Sequence, residues 1–145
     1  MASPTILLIE DGADDAALIV DGLARAIPRE HVAVCRDGSA ALDFLHRRGE
    51  YANRADDLPI LALLDLSLHG FAALREMRSL PSGRLLPVTV LSASDDPQDV
   101  RTAAELGANS FVRKPADRRQ LVERLEQLAR YWLELNIPPP SCTGQ

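Results

Sequence analysis

Four short runs of apolar residues each end in a residue able to do chemistry. Glu10 and Asp11 follow Thr5-Ile6-Leu7-Leu8-Ile9, and Asp65 follows Ile60-Leu61-Ala62-Leu63-Leu64. Ser92 follows Pro87-Val88-Thr89-Val90-Leu91, and Lys114 follows Ser110-Phe111-Val112-Arg113. Brought together, three carboxylates repel one another unless a cation lies among them. Oxygen ligands without His or Cys select a hard ion, and Mg²⁺ suits one or two carboxylates completed by water. A carboxylate beside such an ion is a nucleophile toward a phosphoryl group. A Lys ammonium and a Ser hydroxyl then stabilise the oxygens of the group in transfer. The residue types are those needed to phosphorylate an aspartate, provided that the fold unites them.

The elements between these residues predict that it does. The apolar runs are continuous and rich in branched side chains, which marks strands buried on both faces. Helical spacing follows each one. Leu18, Ile19, Leu23 and Ile27 repeat on one helical face between Ala13 and Ile27, and Pro28 ends that helix. His31 to Cys35 reads as a second strand, and Asp37-Gly38-Ser39 opens a helix carrying Leu42, Phe44 and Leu45. Gly49 to Leu58 and Leu80 to Leu86 read as loops, with a third helix over Phe71 to Met77 between strands 3 and 4. Asp96 caps a fourth helix with Pro97 at its first position, and Gly107 closes it. The last helix is predicted from Asp117 to Asn136, where Pro138-Pro139-Pro140 stops it. A strand-helix unit repeated five times predicts an α/β, doubly wound parallel sheet with helices on both faces. Such sheets bind ligands at the carboxyl ends of their strands, where Glu10, Asp11, Asp65, Ser92 and Lys114 all fall. Strand 2 ends in Arg36-Asp37, expected to lie to one side.

Composition excludes several alternatives. The chain has 145 residues, 46% apolar and 26% charged, which suits one globular domain and not a disordered chain. Its net charge of −5 argues against nucleic acid as a partner. The run Ile60 to Leu64 is far too short to span a membrane, and Met1-Ala2-Ser3-Pro4 is not a secretory signal. Cys35 and Cys142 are expected as free thiols, which suits the cytoplasm. No glycine-rich phosphate loop follows a strand, so nucleotide binding is not expected. A phosphohydrolase would need a second Asp two residues after the nucleophile, where Ser67 stands.

With these residues in these strand-end contexts, the chain resembles the receiver domains of two-component response regulators from about residue 5 to 135. Ser94-Asp95-Asp96-Pro97-Gln98-Asp99-Val100, Ala108-Asn109-Ser110 and Tyr131-Trp132-Leu133-Glu134 resemble the single-domain regulators paired with phytochrome-type histidine kinases. The resemblance implies a flavodoxin-like fold of five helices and a sheet in the order 2-1-3-4-5. It implies a receiver over residues 1–136 and a Pro-rich tail over 137–145 without an output domain. Asp65 is then the phosphoacceptor. Asp11 and Asp65 ligate Mg²⁺ with the backbone carbonyl of Ser67, and Glu10 acts indirectly. Lys114 reaches the pocket through a cis peptide to Pro115, and Ser92 and Phe111 form the switch. A sensor histidine kinase is the implied partner, with a histidine phosphotransfer protein as a further one. The segment Asp65-Leu66-Ser67-Leu68-His69-Gly70 is about three residues shorter than the family's and lacks its Pro. That shortening supports the alternative, an interaction module that is not phosphorylated.

The last helix carries a second pattern. Leu121, Leu125, Leu128, Trp132 and Leu135 follow spacings of 4, 3, 4 and 3, like a coiled-coil seam. The band is wider than packing on a sheet requires. Leu125, Leu128, Trp132 and Leu135 are therefore expected to form a homodimer interface.

Overall fold

The computed structural model describes residues 5–54, 58–66 and 70–140. Five strands, β1 (Ile6–Ile9), β2 (Val32–Cys35), β3 (Leu61–Asp65), β4 (Val88–Ser92) and β5 (Ser110–Arg113), form one sheet. All neighbours are parallel and the order is β2-β1-β3-β4-β5, as expected. The helices are α1 (Ala13–Leu23), α2 (Gly38–His46), α3 (Gly70–Arg78), α4 (Pro97–Glu105) and α5 (Arg118–Arg130). A single turn over Pro81–Arg84 occupies part of the stretch expected to be loop, and a 3₁₀ turn over Gly49–Tyr51 does the same further upstream. Aspartates begin three of the five helices. Asp37, Asp96 and Asp117 accept hydrogen bonds from the amides of Ala40, Gln98 and Gln120 at 2.8, 2.8 and 2.9 Å.

Successive strand residues point to opposite faces, so the continuous apolar runs feed two cores. Ile6, Leu8, Leu61, Leu63 and Leu91 pack under α1 and α5. Leu7, Ile9, Ala62, Leu64, Val88 and Val90 pack under α2, α3 and α4. On the first face the helices approach closely because position 22 is glycine. A Cβ there would lie 2.9 Å from Leu125 Cβ and 3.3 Å from Val122 Cα, closer than side chains tolerate.

Three expectations are corrected here. α1 ends at Leu23, not Ile27, although Ile27 is still buried. α5 ends at Arg130 and passes into a π turn, Tyr131–Leu135, closed by a 2.8 Å bond from the Asn136 amide to the Tyr131 carbonyl. The apolar band of this helix is not a free interface. Leu125 is 1% exposed and Trp132 only 9%, both inside the core shared with α1. The buried stripe runs Leu121, Leu125, Ala129, Trp132, leaning toward α1. Leu128 is half-buried at the edge of that core, while Leu135 is 74% exposed.

Because Trp132 closes the core at the far end of α5, Trp132→Ala should destabilise the chain by about 3–5 kcal/mol. Urea unfolding monitored by circular dichroism measures this. A loss below about 1 kcal/mol, the size expected of a surface site, would restore Trp132 to the interface.

Candidate phosphoacceptor site

Parallel pairing brings the carboxyl ends of the strands to one edge, and the register decides which side chains meet there. Asp65 is the last residue of β3 and is 7% exposed. Its Oδ2 lies 2.6 Å from Lys114 Nζ. Lys114 is held in place by the sheet, because its amide donates to the Ser92 carbonyl and prolongs the β4–β5 ladder. Ser92 ends β4 and is 4% exposed. Its Oγ accepts the Ser94 amide at 3.1 Å, leaving its own proton available to donate. The Lys114–Pro115 peptide is trans, since no cis bond occurs among the described residues. The cis form implied by the resemblance is thus corrected, and the ammonium reaches Asp65 without it.

Glu10 follows β1 directly, and its amide donates to the Cys35 carbonyl at 2.9 Å. The side chain is buried. Oε2 accepts the Gly12 amide at 2.9 Å, while Oε1 is buried with no partner. Burial, followed by the Asp65 carboxylate beside it, pushes the Glu10 carboxyl up to about 8. Asp11 is exposed at the rim of the same cavity. With a buried Glu10 oxygen left without a partner beside Asp11 and Asp65, the site holds more acidic groups than cations. A divalent cation fits it. Asp11 and Asp65 would hold the ion, with Glu10 acting through water. Among the described residues no three acidic, His or Cys side chains are gathered tightly enough to hold an ion alone. Water and backbone oxygen must complete the shell, which is how Mg²⁺ is ordinarily bound. The Ser67 carbonyl expected to contribute lies outside the described residues, as does His69.

A cavity of about 370 Å³ opens beside Asp65. Glu10, Asp11 and Asp65 line it, together with Arg36, Asp37 and Gly38. The expectation that the end of strand 2 lies to the side is therefore corrected. β2 pairs directly with β1, so the turn after it forms a wall of the site. The Arg36-Asp37 pair at a strand end was the available signal, but its relevance depends on strand order. Phe111 lies opposite Val90 on β5 and packs against the α2–α3–α4 core. Cys35 is buried, with Sγ 3.5 Å from the Tyr51 hydroxyl.

Comparisons with known proteins agree with this fold. The family model described as "Response regulator receiver domain" matches residues 6–126. Response regulator Rcp1 of Synechocystis sp. is 34% identical over 132 residues, covering 89% of this chain and 88% of that protein. The crystal structure of the phosphorylated cyanobacterial phytochrome response regulator RcpA is similar at 35% identity and a TM-score of 0.84, covering 95% of this chain and 99% of that one. The Mn²⁺-bound form of Rcp1 gives 33% identity and a TM-score of 0.81, covering 94% and 99%.

The orphaned oxygen of Glu10 predicts a pH dependence in chelator. The folded chain holds the Glu10 proton more tightly than the unfolded chain. That contribution is present below pH about 4.5 and is lost as pH rises toward about 8. Glu10→Gln should therefore be more stable than the wild type at pH 8, with the difference closing toward pH 5. Urea midpoints at the two pH values measure it, and a variant that is less stable at both contradicts the assignment.

Proposed function

The chain belongs to the response regulator receiver family, and on that premise we propose that it is a phosphorylation switch whose acceptor is Asp65. The observation that carries the reading is the 2.6 Å contact of Lys114 Nζ with the buried Asp65 carboxylate, with Ser92 ending the neighbouring strand and Glu10 and Asp11 lining the same cavity. A receiver is a signalling phosphoacceptor and not a catalyst of metabolite turnover. A divalent cation bound at Asp11 and Asp65 would neutralise charge on the phosphoryl oxygens.

The chain's own residues account for the rest. An Asp65 oxygen forms a bond to phosphorus as the donor's bond to phosphorus breaks, and the electron pair leaves on the donor. The Lys114 ammonium transfers its contact from the carboxylate to a phosphoryl oxygen, and Ser92 Oγ–H donates to another. Burial of Asp65 and Ser92 limits water around the acyl phosphate. The movement of Ser92 toward the phosphoryl group is the switch, and Phe111 on the neighbouring strand follows it. A histidine kinase is the donor. Similarity to RcpA and Rcp1 supports a phytochrome-type kinase in the cytoplasm, and among the described residues no helix is long and apolar enough to cross a membrane. A histidine phosphotransfer protein is a further partner for the same acyl phosphate. The residues at the end of α5 that stay exposed, Tyr131, Leu135 and Ile137, with half-buried Leu128, are the remaining candidates for contact with a second copy.

Acetyl phosphate with Mg²⁺ should add one phosphoryl mass to the intact protein, and Asp65→Asn should abolish it while the fold persists. A variant that still gains the mass places the acceptor elsewhere. A wild type that gains none supports the unphosphorylated interaction module instead.

Mg²⁺ binding should be weak and should depend on Asp11. Amide shifts around Asp11 and Asp65 during a titration measure it, and Asp11→Asn should weaken binding at least about tenfold, as loss of one of few protein ligands implies.

A further inference from the structure

The cavity beside Asp65 has two electrostatic halves. Glu10, Asp11 and Asp65 form one. The other is built from Arg36 and from the first residues of α2 and α3, Gly38 and Gly70. Each of these helices has nine residues, so its first amides and the positive end of its dipole lie on that wall. Asp37 offsets part of this charge. It caps α2 and is the fourth acidic residue of the lining. Arg36 is the one cation among the described lining residues. It is exposed and, among the described residues, takes part in no hydrogen bond or ion pair. By contrast, the guanidinium of Arg78 is saturated with carbonyl acceptors, and Arg130 is held by Glu126 and Glu134. No structural bond accounts for Arg36.

Charge bookkeeping shows what is missing. Four acidic residues line the cavity against Arg36 and the Lys114 ammonium, an excess of acidic groups that a divalent cation at Asp11 and Asp65 would reduce. An arriving phosphoryl dianion still meets carboxylates facing it. We propose that Arg36 is a donor-positioning residue, whose guanidinium meets the outer oxygens of the phosphoryl dianion as it enters from the α2 side of the cavity. This rests on the reading of Asp65 as acceptor. With an acyl phosphate, an Asp65 oxygen bonds to phosphorus, the phosphorus–oxygen bond of the donor breaks, and the electron pair leaves on the carboxylate released. No proton moves, and Arg36 stays charged throughout. Planar guanidinium geometry suits two phosphoryl oxygens at once. The same dianion arrives from a small acyl phosphate or from a phosphohistidine, so both bond types enter the test.

Initial phosphorylation rates are measured by intact mass against donor concentration, at saturating Mg²⁺, for wild type, Arg36→Ala and Arg36→Lys. Acetyl phosphate is one donor. Phosphoramidate, whose nitrogen–phosphorus bond stands in for phosphohistidine, is the other. Arg36→Ala should raise KM about three- to tenfold at low salt while changing the limiting rate less than about twofold, and Arg36→Lys should recover most of the loss. The difference should shrink at about 0.5 M salt, where exposed charges are screened. Thermal midpoints should be unchanged, because Arg36 makes no structural bond. An unchanged KM with a wild type that is phosphorylated overturns the proposal. An effect confined to acetyl phosphate also overturns it, by assigning Arg36 to the leaving group. A wild type that takes no phosphoryl group from either donor overturns the Asp65 reading itself.

Discussion

The ion pair between Lys114 and Asp65 joins positions 49 residues apart at 2.6 Å, and the rest of the site is arranged by the pairing that makes it possible. Two charges, one buried and one partly so, are stabilising only when their geometry is well determined. Here the sheet determines it. Asp65 is carried by β3, which is clamped between β1 and β4, and Lys114 directly follows β5, its own amide tied to the Ser92 carbonyl. A slip of one residue in any of these pairings would turn the functional side chain to the other face of the sheet. The two apolar cores prevent such slips, because each slip would also exchange buried residues between faces.

The same convergence has a cost. Glu10 is buried with one oxygen unsatisfied, and its carboxyl is driven upward by burial and by Asp65. A fold selected for stability alone would not place that group there. Strain of this kind is usual where a site must receive charge from outside. It makes the metal-free chain less stable than its cores would allow, and it leaves the site receptive to a cation.

On the opposite face, α1 and α5 meet closely because Gly22 has no Cβ, and the π turn after Arg130 lets Trp132 reach the end of the same core. Helical spacing alone made Leu125, Leu128, Trp132 and Leu135 a single stripe. Packing divides it. The helix leans toward α1, so Ala129 is buried and Leu128 is shifted to the edge, while the polypeptide beyond Trp132 turns Leu135 outward. An apolar band in a sequence does not say which neighbour covers it.

The amino-acid sequence by itself determined the strands, the five helices and the candidate reacting groups at the strand ends. These signals are local. An apolar run buried on both faces is legible in four or five residues, and so is the polar residue that stops it, as with Leu64 and Asp65. Asp37, Asp96 and Asp117 announce helix starts in the same way. Tertiary structure decided what depends on residues far apart in the chain. The resemblance already implied β2 beside β1, but that the turn after β2 makes Arg36 and Asp37 walls of the cavity is contained in no pattern within residues 31 to 38. Burial of Glu10 Oε1, the trans peptide before Pro115, the end of α1 at Leu23 and the division of the α5 stripe are of the same kind. Each follows from which atoms meet across the sheet or between helices, and those meetings are set by the summed packing of both cores and not by any segment's own preferences.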